Sequence, residues 1–336
     1  MIDPIEFYYI VPLYNVDPTG MKPQILPEGY ELISNKEFFE KYQPLFNIQL
    51  RNLAEDIQLL HPGQLYERAT ASYLLIKKLS FKKEETPLGT KREISDKVYA
   101  AEQDRLVAWI FALRLLNPGN IQVYQIYSIS YNFYSSFYFS IGTIIPNLES
   151  FWNFGKGEIG TIESYPLGKV DPHALQEIIN KCKQNYTVMK LPLNYWLSYY
   201  QERDLINKLL RLTTVWETTV LNDRSSELQY ALEIRGSYVL GKDTRHIFKL
   251  AYQLRSELLH TGVANKKTVQ KINSHLNFTY KSTWATFFYF IKDTLEPITR
   301  EILLYFLNTT DKTKQNLEKI AQQLDENICA LSESSH

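Results

Sequence analysis

Cysteine is scarce in this 336-residue chain, in which only Cys182 and Cys329 occur. They have no metal-ligand spacing and are too few for a disulfide framework. Their scarcity argues against a disulfide-stabilised secreted scaffold and against a thiolate metal centre. We therefore expect a reducing, cytoplasmic environment, and we expect neither a metal nor another cofactor.

Net charge and long apolar runs are missing as well. The 37 Lys and Arg residues balance the 37 Asp and Glu residues, so no overall field draws the chain to nucleic acid or anionic lipid. The densest apolar run, residues 284–291, is far shorter than the roughly 20 residues of a membrane helix. The N-terminal stretch has no basic region before its apolar residues, so we expect neither a membrane span nor a secretory signal.

Hydrophobic residues make up 44% of the chain and charged residues 22%, as in ordinary globular proteins. A helix is predicted at 96–116, capped by Ser95, and strands rich in β-branched and aromatic residues are predicted at 121–130 and 135–145. A Gly- and Pro-containing linker is predicted at 153–172. Beyond it the pattern is helical, with helices predicted at 171–185, 191–221, 226–240, 244–261 and 281–307.

These patterns define an α+β chain with three parts. An N-terminal mixed α/β domain at 1–165 is followed by an all-α helical bundle at 166–308. A C-terminal amphipathic helix and tail occupies 309–336, and its apolar stripe could dock on its own bundle or on a partner, the former being favoured.

The helix at 244–261 has two unlike faces at about 100° per residue. One face is an apolar stripe towards the core, made of Ile247, Leu250, Ala251, Leu254 and Leu258. The other face carries Arg255, Ser256 and His260, with Tyr252 and Leu259 between them. A solvated face would be richer in Lys, Glu and Gln, and this composition suits a surface covered by another chain. Arg255 and His260 lie about 140° apart on the wheel, and two copies of the helix facing each other would bring them together.

Arg255 and His260 are also suited to phosphate chemistry. Gly262 places His260 in the last helical turn, where the helix dipole favours imidazolium and the ring can exchange protons near neutral pH. Arg255 can clamp a phosphate. The pair indicates phosphodiester chemistry without a metal, although an Arg and a His at this spacing can also simply complete a dimer interface.

Two further charges lie on apolar stripes. Glu217 interrupts the stripe of the predicted 191–221 helix, and Arg235 interrupts that of the 226–240 helix. Because a buried charge must be paired, we predict an ion pair between Glu217 and Arg235. It would orient two helices or support the site behind Arg255. By contrast, His246 and His275 have no carboxylates at metal spacing and are not predicted as ligands.

Over about residues 190–305 the chain resembles the HEPN superfamily, within it the Apea-like HEPN group. The resemblance rests on the segments 193–221, 227–241 and 247–262, in this order and with short connectors. The hallmark of the family is an Arg followed after four to six residues by His, with a polar residue directly after the Arg. Arg255, Ser256 and His260 match it.

The resemblance implies a metal-independent endoribonuclease whose site forms across a homodimer of the 244–261 helix. His260 would assist attack of the ribose 2′-hydroxyl, Arg255 would bind the scissile phosphate, and Ser256 would position or orient. The products would be a 2′,3′-cyclic phosphate and a 5′-hydroxyl. The RNA would include transfer RNA, and the role would be that of a toxin or antiphage defence effector. The resemblance further implies that a phage-derived trigger or a neutralising partner controls the enzyme and that the N-terminal domain acts as a sensor or specificity domain.

A different class of function stays open. Some HEPN modules bind RNA, a nucleotide or a partner protein without cleaving anything. Such members usually lack the Arg and His together, and this chain has both, which favours the nuclease.

Overall fold

The structure is a computed structural model, and it describes twelve stretches of the chain together with a few isolated positions. These stretches are 5–14, 16–17, 25–42, 73–81, 91–119, 123–130, 133–141, 165–202, 204–223, 226–280, 282–309 and 317–333. The described residues form two compact units, one of residues up to 141 and 165–179, the other of residues from 180 onward. The division thus falls at 179 instead of the predicted 165.

The first unit is built around a six-stranded antiparallel sheet with strand order β3-β4-β5-β1-β6-β7. Two short strands, β2 and β8, pair in parallel as a separate two-stranded sheet. The strands are β1 Ile5–Leu13, β2 Val16–Asp17, β3 Ile25–Leu26, β4 Tyr30–Ser34, β5 Tyr73–Phe81, β6 Val123–Ser130, β7 Phe133–Ile141 and β8 Tyr165–Pro166. Strands β6 and β7 confirm the two predicted strands as far as residue 141, and residues 142–145 and most of the predicted linker lie outside the described residues.

Two helices of this unit, α1 (Asn35–Tyr42) and α2 (Lys91–Leu116), accompany the sheet. Helix α2 begins before the predicted helix, so Ser95 is a buried residue within it and not its N-cap. The same helix buries Glu102, whose carboxylate lies 2.9 Å from the Lys77 ammonium and accepts a hydrogen bond from the Tyr30 hydroxyl. These partners offset the cost of burying the charge.

The second unit is helical. It contains the C-terminal part of α3 (Pro172–Gln201), then α4 Leu205–Thr219, α5 Leu228–Leu240, α6 Arg245–Thr261, α7 Lys266–Leu276 and α8 Thr283–Phe290. A single turn of π-helix, Ile291–Leu295, which we call the π-turn, joins α8 to α9 Glu296–Thr309, and α10 Leu317–Glu333 follows. The mixed α/β fold class, with an antiparallel sheet followed by helices, is therefore observed. No helix in the described part of the chain is long and apolar enough to cross a membrane.

The helix boundaries differ from the prediction in three places. A break between residues 185 and 191 was predicted, but helix α3 continues through this segment and through Pro192. The helix ends instead shortly before α4. There Asp204 caps α4 by accepting a hydrogen bond from the Asn207 backbone N–H at 2.9 Å. Helix α7 was not predicted, although Val269, Ile272 and Leu276 follow a helical spacing; only two of its residues, Thr268 and Ile272, are buried.

The C-terminal helix α10 packs on its own chain. Its apolar stripe is buried against the bundle, through Leu317, Ile320, Ala321 and Leu324. The preferred prediction for this amphipathic helix, that it packs against the bundle of its own chain, is confirmed.

Helices α5 and α6 approach closely at Gly236. A Cβ atom at this position would overlap the ring of Phe248, which is fully buried and stands edge-on to Trp216 at 5.1 Å between ring centroids. A side chain at 236 would therefore push α6 away from α5. The glycine is a packing requirement, and it fixes the distance between these two helices.

We predict that Gly236→Ala destabilises the protein despite the gain in helix propensity. Alanine contributes up to about 1 kcal/mol over glycine in a helix interior, whereas forcing extra atoms into a packed core costs about 1–3 kcal/mol. The expected net loss, about 1 kcal/mol, is measurable by urea denaturation. In a Phe248→Leu background the same change should cost less, because the ring has gone. Equal or greater stability of the single variant would contradict the close contact.

Candidate functional site

Helix α6 presents the predicted site on its outer face. Its apolar stripe is buried as the helical wheel predicted. Ser256 and His260 are exposed, and Arg255 is partly buried beside them. Leu259, between them, is 52% exposed. The predicted division of this helix into an apolar, buried face and a mixed outer face is confirmed.

Glu217 of α4 joins Arg255 and Tyr252 of α6 into one cluster. The Arg255 Nη1 lies 3.0 Å from the Glu217 carboxylate, and the Tyr252 hydroxyl donates to the same carboxylate at 2.7 Å. The Arg255 guanidinium also stands over the Tyr252 ring, 5.3 Å from its centroid. One carboxylate and one ring therefore hold the guanidinium on two sides, which limits the rotamers that this long side chain can adopt.

The cluster is partly open to solvent. The side chains of Arg255 and Glu217 are 25% and 24% exposed. Burial raises the pKa of Tyr252, and the hydrogen bond to the negative Glu217 raises it further, so the hydroxyl stays protonated and remains a donor. The Arg255 Nε is a buried donor for which the described residues supply no partner.

The end of α6 that carries His260 is fixed by Glu257. Its carboxylate accepts hydrogen bonds from the Asn265 backbone N–H and from the Thr268 hydroxyl, both at 2.7 Å. Gly262, in the left-handed conformation with φ 71°, ends the helix and donates its N–H to the Leu258 carbonyl at 3.0 Å. Sequence reasoning missed Glu257, because its partners lie at the start of the unpredicted helix α7.

The predicted ion pair between Glu217 and Arg235 is wrong. The buried Arg235 guanidinium bonds Asp223 and Asp325, each at two oxygens, and the Val220 carbonyl. These five bonds use all five guanidinium N–H donors, so none remains for Glu217. Burial lowers the pKa of Arg235, but the bonds to Asp325 and Asp223 outweigh it and raise the pKa above its ordinary value.

The charged residues predicted from the sequence therefore separate into two groups. Glu217 does contact the predicted site, through Arg255 itself. Arg235 belongs to a different network, in which Asp223 follows α4 and Asp325 comes from α10. The helical wheel correctly predicted that Arg235 is buried, since its side chain is 1% exposed. A helical wheel cannot predict which carboxylates of other segments contact such a residue.

No family model, curated protein or solved structure matches this chain. The chemistry of the site is consequently inferred from its residues and their geometry.

We predict that Arg235→Met strongly destabilises the protein. Removing one partner of a buried ion network typically costs about 3–5 kcal/mol, since charges are left without compensation. Urea denaturation monitored by circular dichroism would measure the loss of unfolding free energy.

The matched control is Lys242→Met, which removes an exposed Lys242–Glu301 pair at 2.9 Å; an exposed pair contributes about 1 kcal/mol or less. If Arg235→Met yields no folded protein, Asp325→Asn provides a milder test, because Asp325 is 41% exposed. Equal losses for Arg235→Met and Lys242→Met would show that the network is not needed.

Proposed function

We propose that this protein is a metal-independent endoribonuclease of the HEPN type, acting as a homodimer through the face of α6. The observation that carries the proposal is the arrangement on that helix. Arg255 is held by Glu217 and Tyr252 and is still partly exposed. Ser256, the next residue, and His260, just over one turn further along the helix, are both exposed to solvent. A held cation and an accessible imidazole, brought together by two copies of the helix, would suit cleavage of a phosphodiester.

The reaction needs a general base, a general acid and a positively charged group that stabilises the phosphate oxygens. The ribose 2′-oxygen attacks phosphorus and loses its proton, while the bond from phosphorus to the 5′-oxygen breaks and that oxygen gains a proton. A dimer holds two His260 imidazoles, so one can accept the first proton while the other donates the second. Arg255 would neutralise the phosphate oxygens as charge builds on them, with Ser256 positioning the substrate.

The dimer part of the proposal is supported by the outer face of α6. Leu259 precedes His260 in α6 and is 52% exposed, and Val263, just beyond the end of the helix, is 70% exposed. Large apolar side chains around a functional His are unfavourable in water and are typical of the core of an interface. A second copy of α6 would cover them and bring the partner's Arg255 towards His260, which one helix alone cannot do.

The biological setting follows the same proposal. The RNA substrate would include transfer RNA, the enzyme would act in the cytoplasm as an antiphage defence effector or toxin, and the N-terminal unit would serve as sensor or specificity domain. The balanced charge of the chain gives weak nonspecific attraction to RNA. A phage-derived trigger or a neutralising partner would then decide when cleavage occurs.

One observation favours a second candidate, a HEPN module that binds RNA, nucleotide or protein without cutting. The charge of Arg255 is already compensated by Glu217 at 3.0 Å, so a phosphate must compete with a carboxylate for the same guanidinium. In a binding module this pair would be purely structural. Cleavage assays separate the two functions.

We predict that the purified protein cleaves transfer RNA in EDTA and that His260→Ala and Arg255→Ala abolish the cleavage. Loss of general acid–base catalysis costs about 10²–10⁴ in rate. Product ends would be analysed for a 2′,3′-cyclic phosphate and a 5′-hydroxyl, and dimerisation would be followed by sedimentation.

His173→Ala and Arg245→Ala are matched controls, since both residues are exposed. These variants should cleave RNA at the wild-type rate. A folded wild-type dimer that cleaves no RNA, even with phage-infected lysate added, would favour the binding module. If His260→Ala dissociates the dimer, the role of His260 is structural.

A further inference from the structure

Two histidines far apart in sequence meet at the opposite end of α6. His246 lies in the first turn of α6, and His275 lies in the last turn of α7. The His246 Nε2 is 3.3 Å from the His275 Nδ1, with ring centroids 5.3 Å apart and ring planes at 59°. Such a contact joins the start of one helix to the end of the next.

A third residue orients one of the rings. The His275 Nε2 lies 3.3 Å from the hydroxyl of Thr294, a buried residue of the π-turn. In the tautomer that carries its proton on Nε2, His275 donates to that hydroxyl and presents the lone pair of Nδ1 to His246. Histidines that bind metals usually have their second ring nitrogen fixed by such an outer hydrogen bond.

The pair of rings is accessible from solvent on one side. His246 is exposed, so an ion and its water ligands can reach the pair from solvent.

The distance between the two nitrogens matches a metal chelate. Zinc binds histidine nitrogen at about 2.0–2.1 Å in tetrahedral geometry, which puts two such nitrogens about 3.3–3.4 Å apart. We propose that His246 Nε2 and His275 Nδ1 bind a divalent first-row transition metal ion such as Zn²⁺. No group of three or more His, Cys, Asp or Glu residues that could hold a metal occurs among the described residues. Water therefore completes the coordination, and the affinity is that of an open two-histidine site.

The site is separate from the proposed nuclease centre and does not rest on it. His246 and His260 are 14 residues apart on α6, about 21 Å along the helix axis at 1.5 Å per residue. The metal would fasten the start of α6 to the end of α7 and, through Thr294, to the π-turn. Its role is stabilisation of this helical hairpin.

The test is isothermal titration of the tag-free, full-length protein with ZnCl₂, supported by the shift of Tm with zinc. We expect one binding site and a rise in Tm. His246→Ala should remove both, and its exposed position leaves the core intact. Thr294→Val should weaken Kd by about tenfold, the lower range for loss of an outer hydrogen bond to a metal ligand.

The controls are His173→Ala and Cys329→Ser, which remove exposed potential ligands elsewhere and should leave Kd and the Tm shift unchanged. Zinc binding that persists in both His246→Ala and His275→Ala would assign the ion to other surface groups and overturn the proposal. A folded wild-type protein that binds no zinc in the titration would show that the two rings only share a hydrogen bond.

Discussion

The buried guanidinium of Arg235 is the interaction on which the helical unit depends. It belongs to α5 but reaches the carbonyl of Val220 at the end of α4, Asp223 just beyond it, and Asp325 of α10. A buried charge tolerates no displacement of its partners, because each lost bond leaves a charge or donor without compensation. The network therefore fixes how α4 ends and where α10 docks.

The position of α4 in turn decides the geometry of the candidate site. Glu217 lies one turn before Val220 on this helix, and its carboxylate holds Arg255 and Tyr252 of α6. The preceding residue, Trp216, is fully buried, packs edge-on against Phe248 and donates its Nε1–H to the Thr299 hydroxyl at 2.8 Å. Helix α4 is thus fastened at its inner side by Trp216 and at its end by Arg235. The carboxylate that orients the guanidinium of Arg255 is consequently set by core packing, not by solvent-exposed contacts.

The sequence predicted the parts of this arrangement that depend on a single helix. Periodicity identified α6, its buried stripe and the exposed Ser256 and His260, and it marked Arg235 as a core position. It failed where a particular contact lay on another element. One partner of Arg235 is Asp325, 90 residues further along the chain, and a short-range pattern carries no information on such a contact. The same holds for Glu257 and Thr268, and for His246 and His275, which meet only because α7 turns back along α6. Helix α7 itself was missed although its apolar residues, Val269, Ile272 and Leu276, are spaced as in a helix.

Helix α6 is held along its whole length, and this has a consequence for its outer face. Glu257 ties its end to α7, the two histidines meet at its start, and Phe248 is wedged against Gly236 between them. Arg255 and His260 lie about 140° apart around the axis of α6, and this separation follows from helix geometry whatever the orientation of the helix. A site that used both residues would therefore need a second surface against α6, which in the proposed dimer is the α6 of the partner chain. The restraints on α6 would then supply the rigidity that a preorganised site requires.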